Sequence, residues 1–210
     1  MPGVSSRTIR IASAGRLELH HARASLVDYR GRRAIKVTEA AGRSGEVEAM
    51  AVLPGLDFGD GVIETAIAGL PRSGAPEFAR GFVGIAFRVQ PGASRFEVFF
   101  LRPTNSRSED QLRRNHTAQY MSPPDHPWFR LREESPGRYE SYVDMMPGAW
   151  TPIRIAVNGA YASLWVNHAS QPCLIVNDLK LGDTDGRIGL WIGSETEAYF
   201  SGKLVIRRAD

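Results

Sequence analysis

The sequence predicts an all-β protein, a two-sheet antiparallel jelly-roll sandwich with one long loop that carries a short helix. Three observations lead there. Apolar and polar residues alternate over short runs, turn residues separate those runs, and almost no stretch sustains a helical period. In chain order the strand candidates are residues 15–20, 23–27, 33–38, 46–53, 61–69, 81–90, 95–102, 139–145, 150–157, 160–167, 174–177, 187–192 and 198–207. Tyr29-Arg30-Gly31-Arg32 reads as a hairpin turn. Asn158-Gly159 reads as another, of the kind whose two central residues both need positive φ.

The sixth and seventh candidates form the most informative pair. With Pro91 to Ser94 as the loop, Gln90 pairs with Arg95 and Arg88 stands opposite Glu97. Val83, Ile85, Phe87 and Val89 then share a core face with Phe96, Val98 and Phe100. Gly84, Ala86 and Arg88 share the other face with Glu97, Phe99 and Leu101, which makes a floor of small residues with one charge pair and one aromatic ring. In the Asn158-Gly159 hairpin, Val157 faces Ala160. Ile153, Ile155, Val157, Ala160, Ala162, Leu164 and Val166 face the core, while Arg154, Tyr161, Ser163 and Trp165 face away. In residues 187–193 the core side chains are Ile188, Leu190 and Ile192, and Trp191 points off the core between two glycines.

Between these strands lies a loop of about residues 103–138, containing Pro123, Pro124, Pro127 and Pro136. Ordered loops of this length are often functional. Ser106-Arg107-Ser108-Glu109 matches a capping box and predicts a helix from Arg107 to about Arg113. No repeat, low-complexity tract or linker divides the chain, so residues 1–210 are expected to form a single domain.

Composition narrows the function classes. Hydrophobic residues are 42% and charged residues 23%, which argues against a disordered or membrane-spanning chain, and no apolar run reaches the length of a span. The start has no apolar signal-like core, so a cytoplasmic location is expected. The net charge of +3 does not point to nucleic acid. With three lysines among 26 basic residues, the arginines are scattered among 23 acids and form no basic run. Cys173, alone, is expected to be a buried structural thiol. The five histidines show no metal-ligand spacing, Asp183-Thr184-Asp185-Gly186 lacks the rest of a calcium loop, and no cofactor motif is present. Neither a metal nor a cofactor is expected.

The residues able to carry chemistry follow the floor strand. Arg102, Asn105, Arg114, Asn115, His116 and Tyr120 combine anion-holding groups with two that move protons, a set suited to elimination beside a carbonyl or carboxylate and also to binding sugar hydroxyls. Equally, these arginines can salt-bridge nearby acids and pin the loop. Glu97, if covered by the loop, is the candidate acid or base, with Arg88 and Phe99 beside it. Left uncovered, the Arg88–Glu97 pair is a surface ion pair worth about 0.2 to 1 kcal/mol. Trp128, Trp165 and Trp191 are candidate sugar-stacking rings, and each is also a candidate for packing under a loop.

The segments GFVGIAFRV, FEVFFLRPTN, QLRRNHTAQY, PGAWTPIRIAVNGAYASLWVN and DGRIGLWIGSETEAYFSGKLVI together resemble the concanavalin A-like lectin and glucanase superfamily. Within it the chain is similar to laminin-G-like domains and to the 3-keto-disaccharide hydrolase domain, over roughly residues 62–206. The resemblance implies a jelly roll whose concave sheet or rim loops hold glycans. The alternating carboxylates of the family-16 glucanases are absent, since Glu140 and Asp144 have the wrong spacing. The alginate-lyase signatures are not recognisable either.

The leading expectation is therefore a carbohydrate-active protein that cleaves a glycoside or oligosaccharide by hydrolysis or elimination, a 3-keto-glycoside among the candidates. In it Glu97, His116 and Tyr120 are catalytic. Arg88, Phe99, Arg102, Asn105, Arg114, Asn115, Trp128, Trp165 and Trp191 bind substrate. The alternative is a noncatalytic glycan-binding or protein-interaction module of laminin-G type. A third reading buries Trp165 and Trp191 against a second copy in a homodimer.

Overall fold

The computed structural model describes residues 4–41 and 48–209. Glu46 and Val47, the start of the fourth expected strand, lie outside the described residues. Alternating runs become strands β1 (Val4–Arg10), β2 (Glu18–His20), β3 (Ala22–Tyr29), β4 (Arg32–Glu39), β5 (Ala49–Asp57), β6 (Gly61–Pro71), β7 (Val83–Val89) and β8 (Glu97–Leu101). They continue as β9 (Ala118–Met121), β10 (Glu140–Ser141), β11 (Thr151–Asn158), β12 (Tyr161–Val166), β13 (Leu174–Val176), β14 (Arg187–Ile192), β15 (Thr196–Ser201) and β16 (Lys203–Ala209). These make two antiparallel sheets. The back sheet runs β13-β12-β11-β6-β15-β4-β3, with β16 pairing both β6 and β1. The front sheet runs β10-β9-β8-β7-β14-β5-β2. This is the expected jelly-roll sandwich. No helix among the described residues is long and apolar enough to cross a membrane.

The back sheet shows the alternation expected of one buried face: along β11, Thr151, Ile153, Ile155 and Val157 are buried while their neighbours are not. β7 and β8 are buried at every position. Their outer face is roofed by the 103–138 segment, so both faces leave water and the polar alternation disappears.

Five sequence expectations need correction. β1 was not anticipated. The Asn158-Gly159 turn shifts by one position, because Asn158 pairs with Tyr161 and Gly159-Ala160 make the turn. Val157 thus faces Ala162, and the core parity of the pair survives because the register moves by two. The short helix is not Arg107 to Arg113 but α1 (Gln111–Asn115), capped by the Asp110 carboxylate, which accepts from the Leu112 and Arg113 amides. Ser106 is instead buried, its hydroxyl donating to the Val143 carbonyl and accepting from the Met145 amide. A second helix, α2 (Trp128–Glu134), and strand β9 occupy the segment expected to be loop.

The fifth correction decides the site. Near the turn the Gln90 amide donates to the Arg95 carbonyl, as expected. Arg88 then adopts a positive φ of 53°, and beyond it the register slips by one: Phe87 faces Glu97, Ile85 faces Phe99 and Gly84 faces Phe100. A one-residue bulge on one strand inverts every side chain of the partner. Glu97, Phe99 and Leu101 join Phe87, Ile85 and Val83 in the inter-sheet core, and Val98 and Phe100 turn outward with Ala86 and Gly84. β14 bulges at the same level, between Arg187 and Gly189. Gly186 permits the close approach, since a Cβ there would lie 2.5 Å from the Arg88 carbonyl carbon.

Arg88 and Glu97 consequently do not pair. The Arg88 guanidinium, fully buried, donates to the Gly159 carbonyl at 2.8 Å, to Asp60 at 3.1 Å and to the Gly182 carbonyl. It clamps three loops at one end of the sandwich. The Glu97 carboxylate accepts from the Leu181 amide at 2.7 Å and the Tyr120 hydroxyl at 2.5 Å, and that hydroxyl accepts from the Lys180 amide.

Two predictions follow from this core. Replacing Arg88 by Met leaves the Gly159 and Gly182 carbonyls without this donor and Asp60 with the Gly159 amide alone, and is expected to cost about 3 kcal/mol, read as a lower urea midpoint. An unchanged midpoint would mean the loops hold without the clamp. Burial raises the Glu97 pKa above its ordinary 4.5, despite the lowering effects of Tyr120, Leu181 and Arg88. The folded state therefore binds this proton more tightly than the unfolded chain. Its contribution is complete below pH 4.5 and is lost as pH rises through the folded value. Glu97→Gln is expected to flatten that part of the pH–stability curve, and a curve parallel to wild type would contradict it.

Candidate functional site

The slipped register places Phe100 and, two residues on, Arg102 on the outer face of the front sheet. Trp191 stands on the same face, opposite Gly84, and its ring centroid lies 4.9 Å from that of Phe100. Gly84 leaves the room, because a Cβ there would lie 2.7 Å from the Phe100 Cβ. The 103–138 segment and the 72–82 loop rise beside this face, and together they enclose a cleft of about 580 Å³.

Phe82, Phe100, Trp128 and Trp191 line the cleft with Arg80, Arg102, Asn105, Arg113, His116 and Arg132. Arg102 is 4% exposed and sits among three rings, 4.9 Å from the Phe100 centroid, 5.5 Å from Trp128 and 5.6 Å from Phe82. Its Nη1 donates to the His116 carbonyl at 3.0 Å. Asn105, buried, accepts from Arg113 Nε at 3.0 Å and donates to the same carbonyl at 3.4 Å. The His116 backbone is thus held from two sides.

The His116 ring has its own support. Nδ1 lies 2.7 Å from Glu140 Oε2, and Arg132 binds the other oxygen of that carboxylate through both Nε and Nη2. Arg132 in turn lies 4.8 Å from the Trp128 centroid. Burial lowers the His116 pKa below 6.5; Glu140 opposes the shift, and Arg132 and Arg102 add to it. At neutral pH the imidazole is uncharged. A proton on Nδ1, beside that carboxylate, leaves the lone pair on Nε2. Burial, aided by the like charges of Arg132 and Arg80, brings Arg102 down to about 9. Beneath the wall, Gln119 pairs across the sheet with Phe100 and Glu140, and neither atom of its buried amide has a hydrogen-bond partner among the described residues.

Of the residues singled out in the sequence, Arg102, Asn105, His116, Trp128 and Trp191 come together in this cleft. Glu97, Tyr120, Phe99 and Arg88 do not: the first three lie on the opposite face of the sheet, and Arg88 is spent on the loop clamp. Burial and the Glu97 charge also push the Tyr120 hydroxyl well above its ordinary 10, away from proton transfer. Arg114 stacks on Tyr142 at 4.9 Å, and Asn115 is exposed and accepts from Gln111, so neither lines the cleft. Trp165 is on the back sheet under Arg154, 4.5 Å away, in a separate hollow of about 210 Å³. Trp191 is already 3% exposed within one chain.

Reading the sequence missed Arg80, Phe82, Phe100, Arg113, Arg132 and Glu140. Phe100 was lost with the register. Glu140 was judged only against the spacing of another enzyme family, whereas its partners Arg132 and His116 reach it from α2 and from the end of α1. Cys173 is half-buried, its thiol donating to the Leu164 carbonyl, and burial pushes it up to about 11. Among the described residues no group of acids, histidines and thiols could hold a metal ion.

No model of a known protein family and no curated protein matches the chain by sequence. Solved structures do match. A Bacillus subtilis protein of unknown function with a galectin-like fold aligns with a TM-score of 0.60 at 11% identity, over 98% of this chain and 97% of that one. A carbohydrate-binding module, also from Bacillus subtilis, gives 0.56 at 10% identity, over 89% and 95%. An endo-β-1,4-glucuronan lyase from the fungus Trichoderma reesei gives 0.51 at 12% identity, over 98% and 95%. At such identities the likeness speaks for the backbone, and with the sheet order it gives the chain the jelly-roll fold of the concanavalin A-like lectins and glucanases.

Proposed function

We propose that the outer cleft of the front sheet binds a glycoside and cleaves it, with His116 moving the proton. The observation that carries this reading is the neutral His116 ring, oriented by Glu140 and Arg132 at the edge of an aromatic floor. Half-buried Phe82 and Trp128 offer apolar faces for a sugar ring, and Arg113 and Arg132 offer donors around it. The aligned carbohydrate-binding module and glucuronan lyase support a saccharide ligand for a fold of this kind.

Elimination suits the cleft better than hydrolysis by two carboxylates. Glu140 is occupied by Arg132 and His116, and the Trp191 indole donates to Glu48, so the two-acid arrangement lacks unengaged groups. One base beside several cationic groups is the set needed to remove a proton next to a carbonyl and to hold the resulting negative charge. A keto-sugar, including a 3-keto-glycoside, or a carboxylated sugar supplies such a proton.

Incubation with a panel of glycosides, followed by mass spectrometry, is expected to give cleaved products. His116→Ala should lower turnover by about 10²- to 10⁴-fold. Since the base must be neutral, the acidic limb of kcat/KM should lie below pH 6.5, and Glu140→Gln should move it lower still by removing the charge that favours imidazolium. Turnover that survives in His116→Ala removes His116 from the reaction. Ligand binding without products would assign the cleft to glycan capture instead.

A further inference from the structure

Some buried or half-buried arginines have acidic partners: Arg88 has Asp60, Arg187 has Glu18 and, in the cleft itself, Arg132 has Glu140. Three that line the cleft do not. Arg102 donates to a backbone carbonyl, Arg113 to Asn105 and Thr104, and Arg80 to the Glu77 and Ala79 carbonyls. Among the described residues none of the three forms an ion pair; the acids that line the cleft are Glu48, which accepts from the Trp191 indole, and Asp110, which caps α1. Burial depresses Arg102 and Arg80 first; Arg132 and Arg80 add to the shift at Arg102 against Glu140, and Arg113 adds to that at Arg80 against Glu77. Partly desolvated like charges gathered on one cavity, none of them in an ion pair, leave it receptive to an anion.

Building on the glycoside reading above, we infer that the cleft takes a carboxylated sugar, a uronate-type saccharide, whose anion is received by Arg80, Arg102 and Arg113. Guanidinium forks match a carboxylate through paired hydrogen bonds. The carboxylate also selects between the two activated substrates: a neutral keto-glycoside brings the three arginines no anion, whereas a uronate does. In a 4-linked uronate the proton on C5 is adjacent to the carboxylate. His116 Nε2 takes that proton, the C–H electron pair becomes the C4–C5 double bond, and the C4–O bond breaks. The departing oxygen then takes the proton from the imidazolium. No oxidant, reductant or added group is required.

The test is calorimetric titration of the full chain with a 4-linked oligouronate, its carboxyl-reduced neutral counterpart, and a sulfated neutral oligosaccharide of equal length. The oligouronate is expected to bind at least about tenfold tighter than the neutral form. Added salt should erode that advantage. Arg113→Gln and, as an independent variant on another loop, Arg80→Gln should each shrink it. Equal affinity for neutral and charged forms overturns the charge inference while the glycan cleft stands. Equal or tighter binding of the sulfated sugar overturns the choice of carboxylate. If no saccharide of the three binds, the glycoside reading falls and this inference falls with it.

Discussion

The bulge at Arg88 is the constraint on which the site rests. One residue at positive φ shifts β8 by one position against β7, and that shift decides which of two chemically different faces meets the solvent. Without it Glu97 and Phe99 would face out and Phe100 would be core. With it, Phe100 and Arg102 face out, and Glu97 must be accommodated between the sheets. The fold does so by giving Glu97 two donors, the Leu181 amide and the Tyr120 hydroxyl. The bulge is itself held by the Arg88 guanidinium, which reaches the turn at Gly159, the loop at Gly182 and Asp60. A residue far from the cleft thus fixes the orientation of the residues that make it.

Arg102 shows how a cation survives on a nearly dry floor. Its depressed pKa of about 9 corresponds to roughly 5 kcal/mol against the charged form. Three aromatic faces surround the guanidinium, and each can return up to about 2 kcal/mol when water is excluded. Stacking therefore offsets the burial without using a carboxylate. The charge stays stable yet unneutralised, which is the state in which it can still attract an anion. Arg132 takes the other solution. It stacks on Trp128 and also binds Glu140, and so acts on His116 through that carboxylate.

Much of the architecture was legible because it depends on period and turn chemistry. Alternation gave the sandwich, Arg30-Gly31 gave its hairpin at φ of 44° and 74°, and Trp191 was placed off the core because β14 keeps its parity above the bulge. The site was legible where it depends on neighbours in sequence: Arg102, Asn105 and His116 sit within one short stretch and meet in space. It was not legible where a single backbone φ overrode the pairing implied by the Gln90–Arg95 turn, since nothing in the residue type of Arg88 announces a left-handed conformation. Nor were Arg80, Arg132 and Glu140 recognisable, because their meaning comes from three separate segments brought to one cavity.

The 103–138 segment is both roof and wall, and this bears on how the cleft can work. Ser106 ties its start to Val143 and Met145, Asp110 caps α1, and α2 packs Leu131 into the core. A segment fastened at these points keeps its shape before any ligand arrives. His116 is then held by two donors on its carbonyl and one carboxylate on its ring, so little ordering remains to be done on binding. The same covering shields the Arg102 guanidinium from bulk water, which strengthens its charge. A mobile loop with identical residues would leave Arg102 hydrated and His116 free to turn. The proline-rich, cap-rich character of this segment is therefore part of the chemistry, because it holds the base and the cations in one fixed arrangement.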